Sequence, residues 1–176
     1  MSLNWLEDLV SHYYRLDGYI VTEDMAIKMP KTENRKTRGN SDIDILAIKD
    51  NEILHVQCQT WWGPGRKDEN KNLERLKELY LYAPGYLKTK YPLLKNHSIK
   101  NVFITGDKPK TKRGLQWQRL ELFCKDNNIE LIDINTIIWR FIEDLRTQIG
   151  MKGNIGKEEG ITRFLIHLVR NDFIKE

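Results

Sequence analysis

The chain of 176 residues is 40% hydrophobic and 31% charged, and it contains two cysteines. These values are typical of a soluble protein with one domain, residues 1–176, that is large enough to bury a hydrophobic core. No apolar run approaches the roughly 20 residues of a membrane span, and the first residues lack the features of a signal peptide. We therefore expect a cytoplasmic protein with no membrane partner. Cys58 and Cys124 lack metal-type spacing, which predicts reduced thiols.

The net charge of +4 is concentrated in two basic segments. The first segment contains Lys28, Lys31, Arg35, Lys36 and Arg38, and the second contains Lys108, Lys110, Lys112 and Arg113. Such segments are typical of proteins that bind polyanions. Loops that are simply solvated by lysine are the alternative, and the charge alone favours that alternative.

The first predicted elements are an amphipathic helix and a short strand. Apolar residues recur at helical spacing from Leu3 to Leu16, and Gly18 ends this helix. Asn4 and Glu7 have the spacing of a capping box, in which both side chains bond the first turn of the helix. A strand begins at Tyr19–Thr22. The chain continues through a bent extension of this strand and a polar, basic loop, Ala26–Met29 and Pro30–Asn40.

The central feature of the sequence is a β-hairpin. Its two strands and the turn between them are Asp42–Ile48, Ile53–Gln59 and Lys49–Glu52. Because side chains alternate along a strand, Asp42 and Asp44 are predicted on one face, opposite Ile43, Ile45 and Ala47. On the second strand, the predicted polar face consists of His55, Gln57 and Gln59. Polar groups of both strands therefore converge on one side, and a solvated sheet face is the alternative. For His55 we expect a plain surface or hairpin residue.

The second half of the chain alternates helices and strands. After an aromatic turn at Trp61-Trp62, the predicted elements are helix Asn70–Tyr82 (ended by Pro84-Gly85), strand Ile99–Thr105, helix Gly114–Asn127, strand Ile129–Asp133, a helix over Thr136–Leu145 that Asn135 caps, a linker Gly150–Gly160 and helix Ile161–Phe173. Alternation of this kind predicts parallel crossovers, whereas the hairpin predicts antiparallel strands. The sequence therefore predicts an α/β fold with a mixed sheet flanked by helices.

The hairpin carries a resemblance to a known family. Gln57-Cys58-Gln59 follows Asp44 at a spacing that resembles the core motif of the PD-(D/E)XK nuclease superfamily, with closest likeness to archaeal Holliday-junction resolvases and restriction-endonuclease-like proteins. In that motif an acid on one strand is followed, on the next strand, by an acid or Gln, an apolar residue and Lys. The resemblance implies a restriction-endonuclease-like α-β-β-β-α-β core over residues 1–133, and residues 134–176 then form a C-terminal helical extension.

The resemblance also implies a site and its ligands. Mg²⁺, or Mn²⁺ in its place, is the implied cofactor, and DNA is the implied partner. Asp44 is then the main metal ligand, assisted by Gln57, by the main-chain carbonyl of Cys58 and by Asp42. Glu7 matches a helix acid that often joins such sites, and capping is its alternative role. The implied catalytic residues are Asp44, Gln57, Gln59 and Glu7.

Nucleic-acid contacts are predicted in the loops around the hairpin. The residues expected to make them are Lys31, Arg35, Lys36, Arg38, Trp61, Trp62, Arg66 and Lys67. The tryptophans have packing over the end of the sheet as an alternative role. A homodimer is a further expectation, because such nucleases cut two strands. The apolar stripes of the C-terminal helices suit either a dimer seam or packing on the sheet.

One departure from the motif leaves two functions open. Gln59 stands at the lysine position, and an amide neither carries charge nor transfers a proton near neutral pH. Loss of one preorganised electrostatic group costs on the order of a hundredfold in rate. Lys49, Lys67 and Lys71 are candidates to replace the lysine. The chain is therefore predicted either to be a divergent metal-dependent endonuclease or to be a decayed nuclease fold that binds nucleic acid or a protein without cleavage.

Overall fold

A computed structural model describes residues 5–30, 39–59, 69–106 and 114–151 of the chain. The elements are α1 (Trp5–Leu16), β1 (Ile20–Met29), β2 (Gly39–Lys49), β3 (Glu52–Gln59), α2 (Glu69–Lys90), a single 3₁₀ turn (Pro92–Leu94), β4 (Ser98–Thr105), α3 (Gly114–Asp126), β5 (Ile129–Asp133) and α4 (Ile134–Met151). None of the helices in these described ranges combines the length and the apolar character that crossing a membrane requires.

The five strands form one mixed sheet in the order β1-β2-β3-β4-β5. β1, β2 and β3 pair antiparallel, whereas β3, β4 and β5 pair parallel. Helices α2 and α3 supply the crossovers that parallel neighbours require. The predicted α/β class with a mixed sheet is confirmed, and the described elements begin in the predicted order α-β-β-β-α-β.

Helices cover both faces of the sheet. On one face, α1 and α4 pack against β2, β3 and β4 through residues that include Leu6, Val10, Ile45, Val56, Ile104 and Ile137. On the other face, α2 and α3 pack through residues that include Ile43, Leu46, Leu79, Leu87, Phe103 and Leu120. Burying each large apolar side chain contributes about 1.5–3 kcal/mol, so both faces contribute substantially to folding. Ile137 shows that α4 shares the core of the strands.

The β-hairpin has the predicted turn but not the predicted faces. The turn consists of Asp50 and Asn51, with Asp50 in the left-handed region at φ 50°. Ile43 is buried on the α2 side, whereas Ile45 and Ala47 are buried on the α1 side. The prediction that these three side chains share a face was therefore wrong. β2 also begins at Gly39, earlier than predicted.

The face change coincides with an irregularity on the neighbouring strand. β1 pairs Glu23 with Ile45 and Met25 with Ile43. Asp24, which lies between Glu23 and Met25 on β1, has a φ of 52°. A left-handed residue breaks the regular alternation of a strand. β2 changes face at the matching position, which Asp44 occupies.

Helix α2 continues through Pro84 and Gly85 to Lys90, so the predicted end at Pro84-Gly85 was wrong. A proline inside a helix removes one hydrogen bond and costs about 3 kcal/mol. Ala83 and Leu87 are buried on either side of this point, and their packing against the sheet offsets that cost. Tertiary contacts override the local helix-breaking signal.

Helix α4 begins and ends at other residues than predicted. It starts at Ile134, where the Oδ1 of Asp133 accepts a 2.9 Å hydrogen bond from the N–H of Asn135. Asp133 therefore acts as the cap that was predicted at Asn135. The helix also passes Leu145 and runs to Met151. The predicted helix Ile161–Phe173 lies outside the described residues.

Candidate functional site

The site begins where the regular pairing of β2 with β3 stops. Ile45 and Val56 are the last partners in that register. Immediately beyond them, the N–H of Cys58 donates a 2.6 Å hydrogen bond to Oδ2 of Asp44. A side-chain carboxylate thus takes the place of a main-chain acceptor and fixes Asp44 against the backbone of β3.

The Asp44 carboxyl lies in an acidic environment. Its pKa is raised to about 7, mainly by burial; the hydrogen bond from the Cys58 N–H opposes this rise, and the charges of nearby Glu7, Asp42 and Asp24 add to it. Crowded carboxylates repel one another when ionised, and a bound cation would relieve this repulsion. The environment of Asp44 is therefore one in which a hard cation favours the ionised form.

Glu7 and Cys58 belong to the same group. Glu7 lies in the first turn of α1, and its charge acts on both Asp44 and Cys58. Burial, followed by the charges of Asp44 and Glu7, raises the pKa of the Cys58 thiol. A thiol that stays protonated is a poor nucleophile, so Cys58 serves this site through its main chain. The capping partner proposed for Glu7, Asn4, lies outside the described residues.

Gln57 and Gln59 lie beside a different space. The Nε2 of Gln57 donates a 3.0 Å hydrogen bond to the main-chain oxygen of Asp42. Both glutamines line a cavity of about 190 Å³ between β3, β2 and α2, together with Ser41, Asn72, Arg75, Leu76 and Leu79. The Gln57–Asp42 bond joins this cavity to the strand that carries Asp44. The structure thus places an acidic group and an amide-rich cavity next to each other at one end of the hairpin.

Arg75 and Asn72 are residues that the sequence analysis did not select. They lie on the polar side of α2, where charged residues usually face solvent. The signal that identifies them is topological, because the α2 crossover returns along the sheet and brings its first turns over the end of β3. Arg75 is exposed, so its guanidinium is accessible from solvent.

Of the lysines considered as replacements for the motif lysine, the two that the structure describes, Lys49 and Lys71, are not among the lining residues of this cavity. Lys49 lies at the opposite end of the hairpin, where its Nζ donates a 2.6 Å hydrogen bond to the main-chain oxygen of Asp17 and lies 5.3 Å from the Tyr19 ring centre. Lys71 is exposed near the start of α2 and is not among the described lining residues. Lys67 lies outside the described residues.

His55 is buried, so the prediction of a surface position was wrong. Its ring has no exposed area and lies 4.7 Å from the Tyr80 ring centre. The pKa of His55 is lowered to about 3 by burial, and the side chain of Asn101, its partner in the β3–β4 register, partly opposes this shift. His55 is therefore a neutral core residue on the α2 side of the sheet.

The oxygen atoms around Asp44 are of the type that Mg²⁺ prefers as ligands. Within residues 5–30, 39–59, 69–106 and 114–151, no three His, Cys, Asp or Glu side chains come together as metal ligands. A closed protein cage is thus absent from the described chain. Mg²⁺ needs only one or two carboxylates, because water and substrate phosphate complete its shell. Asp44 with Glu7 or Asp42 fits an open site of that kind.

The predicted nucleic-acid contacts lie outside the described residues. These are Lys31, Arg35, Lys36, Arg38, Trp61, Trp62, Arg66 and Lys67. They flank β2 and β3 in the sequence, and their role stays a prediction.

Comparisons with known proteins leave the family open. No protein-family model matches the chain, and no curated protein matches it. The crystal structure of a protein of unknown function, AF1548, is similar with a TM-score of 0.43 and 11% sequence identity, over 94% of this chain and 95% of the other. Similarity at this level carries no argument about activity.

Proposed function

We propose that the protein is a divergent metal-dependent endonuclease that hydrolyses phosphodiester bonds in DNA. The observation that carries the proposal is the placement of Asp44, which the Cys58 N–H holds among other carboxylates beside an amide-lined cavity. The resemblance of Asp44, Gln57 and Gln59 to the PD-(D/E)XK motif and the order of the described elements support it.

Each residue of the site has a defined task in this proposal. Asp44, with Glu7 or Asp42, would hold Mg²⁺, and the Cys58 carbonyl stays a predicted ligand. Bound Mg²⁺ would supply Lewis-acid polarisation of the phosphate and acidify a water molecule. The amide nitrogen of Gln57 donates a hydrogen bond to the main-chain oxygen of Asp42, so the amide oxygen of Gln57 is the atom suited to bind a cation.

A binding protein without cleavage is the second candidate. Gln57 and Gln59 are neutral where an acid and a lysine are frequent, so the site has less charge both to hold the cation and to stabilise the transition state. This loss costs on the order of a hundredfold in rate. Binding of nucleic acid depends on basic residues elsewhere and would survive it.

Metal binding and strand cleavage test the proposal together. Titration calorimetry with Mn²⁺ should give heat in the native protein, and Asp44→Asn should abolish it. Asp50→Asn is the matched control, because it makes the same change at the far end of the hairpin. Nicking of a supercoiled plasmid should require Mg²⁺ or Mn²⁺ and should be lost in Asp44→Asn. DNA binding without any nicking would favour the second candidate, and metal heat that Asp44→Asn leaves unchanged would contradict the proposed site.

A further inference from the structure

We propose that the cavity lined by Gln57, Gln59, Asn72 and Arg75 is a phosphate subsite, in which the Arg75 guanidinium supplies the positive charge that Gln59 lacks. This inference rests on the proposed function and specifies how the same site engages a nucleic-acid backbone.

The lining is rich in hydrogen-bond donors. Three amides, from Gln57, Gln59 and Asn72, surround the cavity together with the Ser41 hydroxyl. Arg75 provides the charge, and neither Asp nor Glu is among the described residues of the lining. A described lining that combines a guanidinium with amide and hydroxyl donors and contains no carboxylate matches an anion rather than a cation.

The volume suits a phosphate group. The cavity measures about 190 Å³. A water molecule occupies about 30 Å³ in the liquid, so the space accommodates a tetrahedral phosphate with some of its water. Apolar contacts shape one wall, because Leu79 is buried and Leu76 is partly buried in the core beneath α2.

Helix geometry keeps the two α2 donors together. Asn72 and Arg75 are three residues apart on α2, a spacing that places both side chains on the same helix face. Guanidinium stays charged at every accessible pH and presents two parallel N–H groups to phosphate oxygens. Arg75 therefore acts as an electrostatic contact and does not act as a proton acceptor.

The position of the cavity near Asp44 connects the phosphate subsite to the proposed metal site. The acidic group of Asp44 and the donor-rich cavity are joined by the hydrogen bond from Gln57 to the Asp42 main chain. A metal-bound phosphodiester needs carboxylates on the metal and donors on the remaining phosphate oxygens. The hairpin end offers both kinds of group, and Gln57 lines the cavity while it bonds the main chain of Asp42.

Cleavage rates of α2 variants provide the first test. Arg75→Ala should lower single-turnover cleavage of plasmid DNA about a hundredfold. Arg75→Lys should recover part of the loss, and Gln59→Lys added to Arg75→Ala should recover at least tenfold by restoring a cation on β3. Arg119→Ala, an exposed arginine on α3, is the matched control and should keep the native rate. Cleavage by Arg75→Ala within twofold of the native rate would overturn the subsite.

DNA affinity provides a second test that does not depend on cleavage. Binding of a short duplex oligonucleotide, measured over a range of salt concentrations, should weaken in Arg75→Ala. The slope of the logarithm of the binding constant against the logarithm of the salt concentration should fall in magnitude by about 0.9, the value for one phosphate contact. Arg119→Ala should leave the slope unchanged. If the native protein fails to cut DNA but Arg75→Ala shows this loss, the nuclease proposal fails and the subsite stands. If affinity and slope are unchanged in Arg75→Ala, the subsite fails whatever the cleavage result. Arg75→Gln, which keeps a long polar side chain on the helix, guards against loss of folding.

Discussion

The N–H of Cys58 donates a 2.6 Å hydrogen bond to Oδ2 of Asp44, and this bond joins β2 to β3 just beyond their last regular pair. The carboxylate has both a structural and a chemical role. It accepts a hydrogen bond in place of a main-chain carbonyl between the strands, and it is repelled by the neighbouring acidic side chains. These two roles are separable by substitution.

Replacing Asp44 by Asn should stabilise the metal-free protein at pH 8. The folded pKa, about 7, lies above the ordinary value of 3.8, so the folded state holds an extra proton between these values and loses stability as pH rises through 7. Asn keeps an acceptor for the Cys58 N–H and carries no charge. We expect a gain of at most about 4 kcal/mol, from about 1.4 kcal/mol per pKa unit, measured by urea unfolding in chelator.

Asp44→Ala separates the effect of the charge from the effect of the hydrogen bond to the Cys58 N–H. It removes the charge but also leaves the Cys58 N–H without its acceptor, at a cost of about 1–3 kcal/mol, so it should be less stable than Asp44→Asn. At pH 4 the native carboxyl is protonated, and the gain from Asp44→Asn should disappear. An Asn variant that is equally stabilised at pH 4 and pH 8 would contradict the acidic environment of Asp44.

His55 should make the protein sensitive to acid. Its folded pKa of about 3 lies below the ordinary 6.5, so the unfolded state binds the extra proton in that window. The contribution of His55 to stability is therefore complete above pH 6.5 and is lost toward pH 3, by about 1.4 kcal/mol per pH unit. Between about pH 4 and 6.5 the titration of Asp44 has the opposite sign, so the effect should be clearest in Asp44→Asn.

Unfolding of His55→Gln in the Asp44→Asn background tests this expectation. The slope of stability against pH should flatten between pH 4 and 6, while His97→Gln in the same background serves as the control. A slope that His55→Gln leaves unchanged would mean that another group dominates the acid response.

Pro84→Ala should raise the melting temperature. Alanine restores the missing N–H in the middle of α2 and removes the clash of the proline ring, for a gain of about 1–3 kcal/mol. Pro92→Ala is the matched control, because Pro92 begins a 3₁₀ turn, a position that suits proline, and its replacement should give no gain. Equal melting temperatures for Pro84→Ala and the native protein would show that the packing of Ala83 and Leu87 depends on the proline.

Replacing Lys31, Arg35, Lys36 and Arg38 by alanine should weaken DNA binding and reduce its salt dependence. Each phosphate contact that is lost lowers the salt slope by about 0.9. Fluorescence anisotropy with a duplex oligonucleotide measures both quantities. A variant with native affinity at every salt concentration would remove this segment from the interface.

The parts of the fold that were predicted correctly depend on local sequence. The turn at Asp50, the mixed sheet and the strand Ile129–Asp133 follow from turn residues and apolar runs, which act within a few positions. The face change at Asp44 was not predictable from the alternation of β2 alone, because it coincides with the left-handed Asp24 across the sheet. The helix end at Pro84 was predicted wrongly because the burial of Ala83 and Leu87 outweighs the local helix-breaking tendency of proline.

The candidate site was predictable to a similar extent. Asp44 and Gln57 are recognisable from the spacing of the hairpin. Arg75 was not recognisable from the sequence, because an arginine on the polar side of a helix usually faces solvent. Only the direction of the crossover brings it beside Gln59.

Every described side chain of the candidate site comes from α1, β1, β2, β3 or α2, within positions 7 to 79. The strands and helices after α2 therefore support the working end without furnishing any of its described groups. Substitutions at exposed positions of these later elements should therefore leave the chemistry of the site unchanged, whereas their buried residues, such as Phe103, Leu120 and Ile137, are constrained by the core that they share with the first half of the chain.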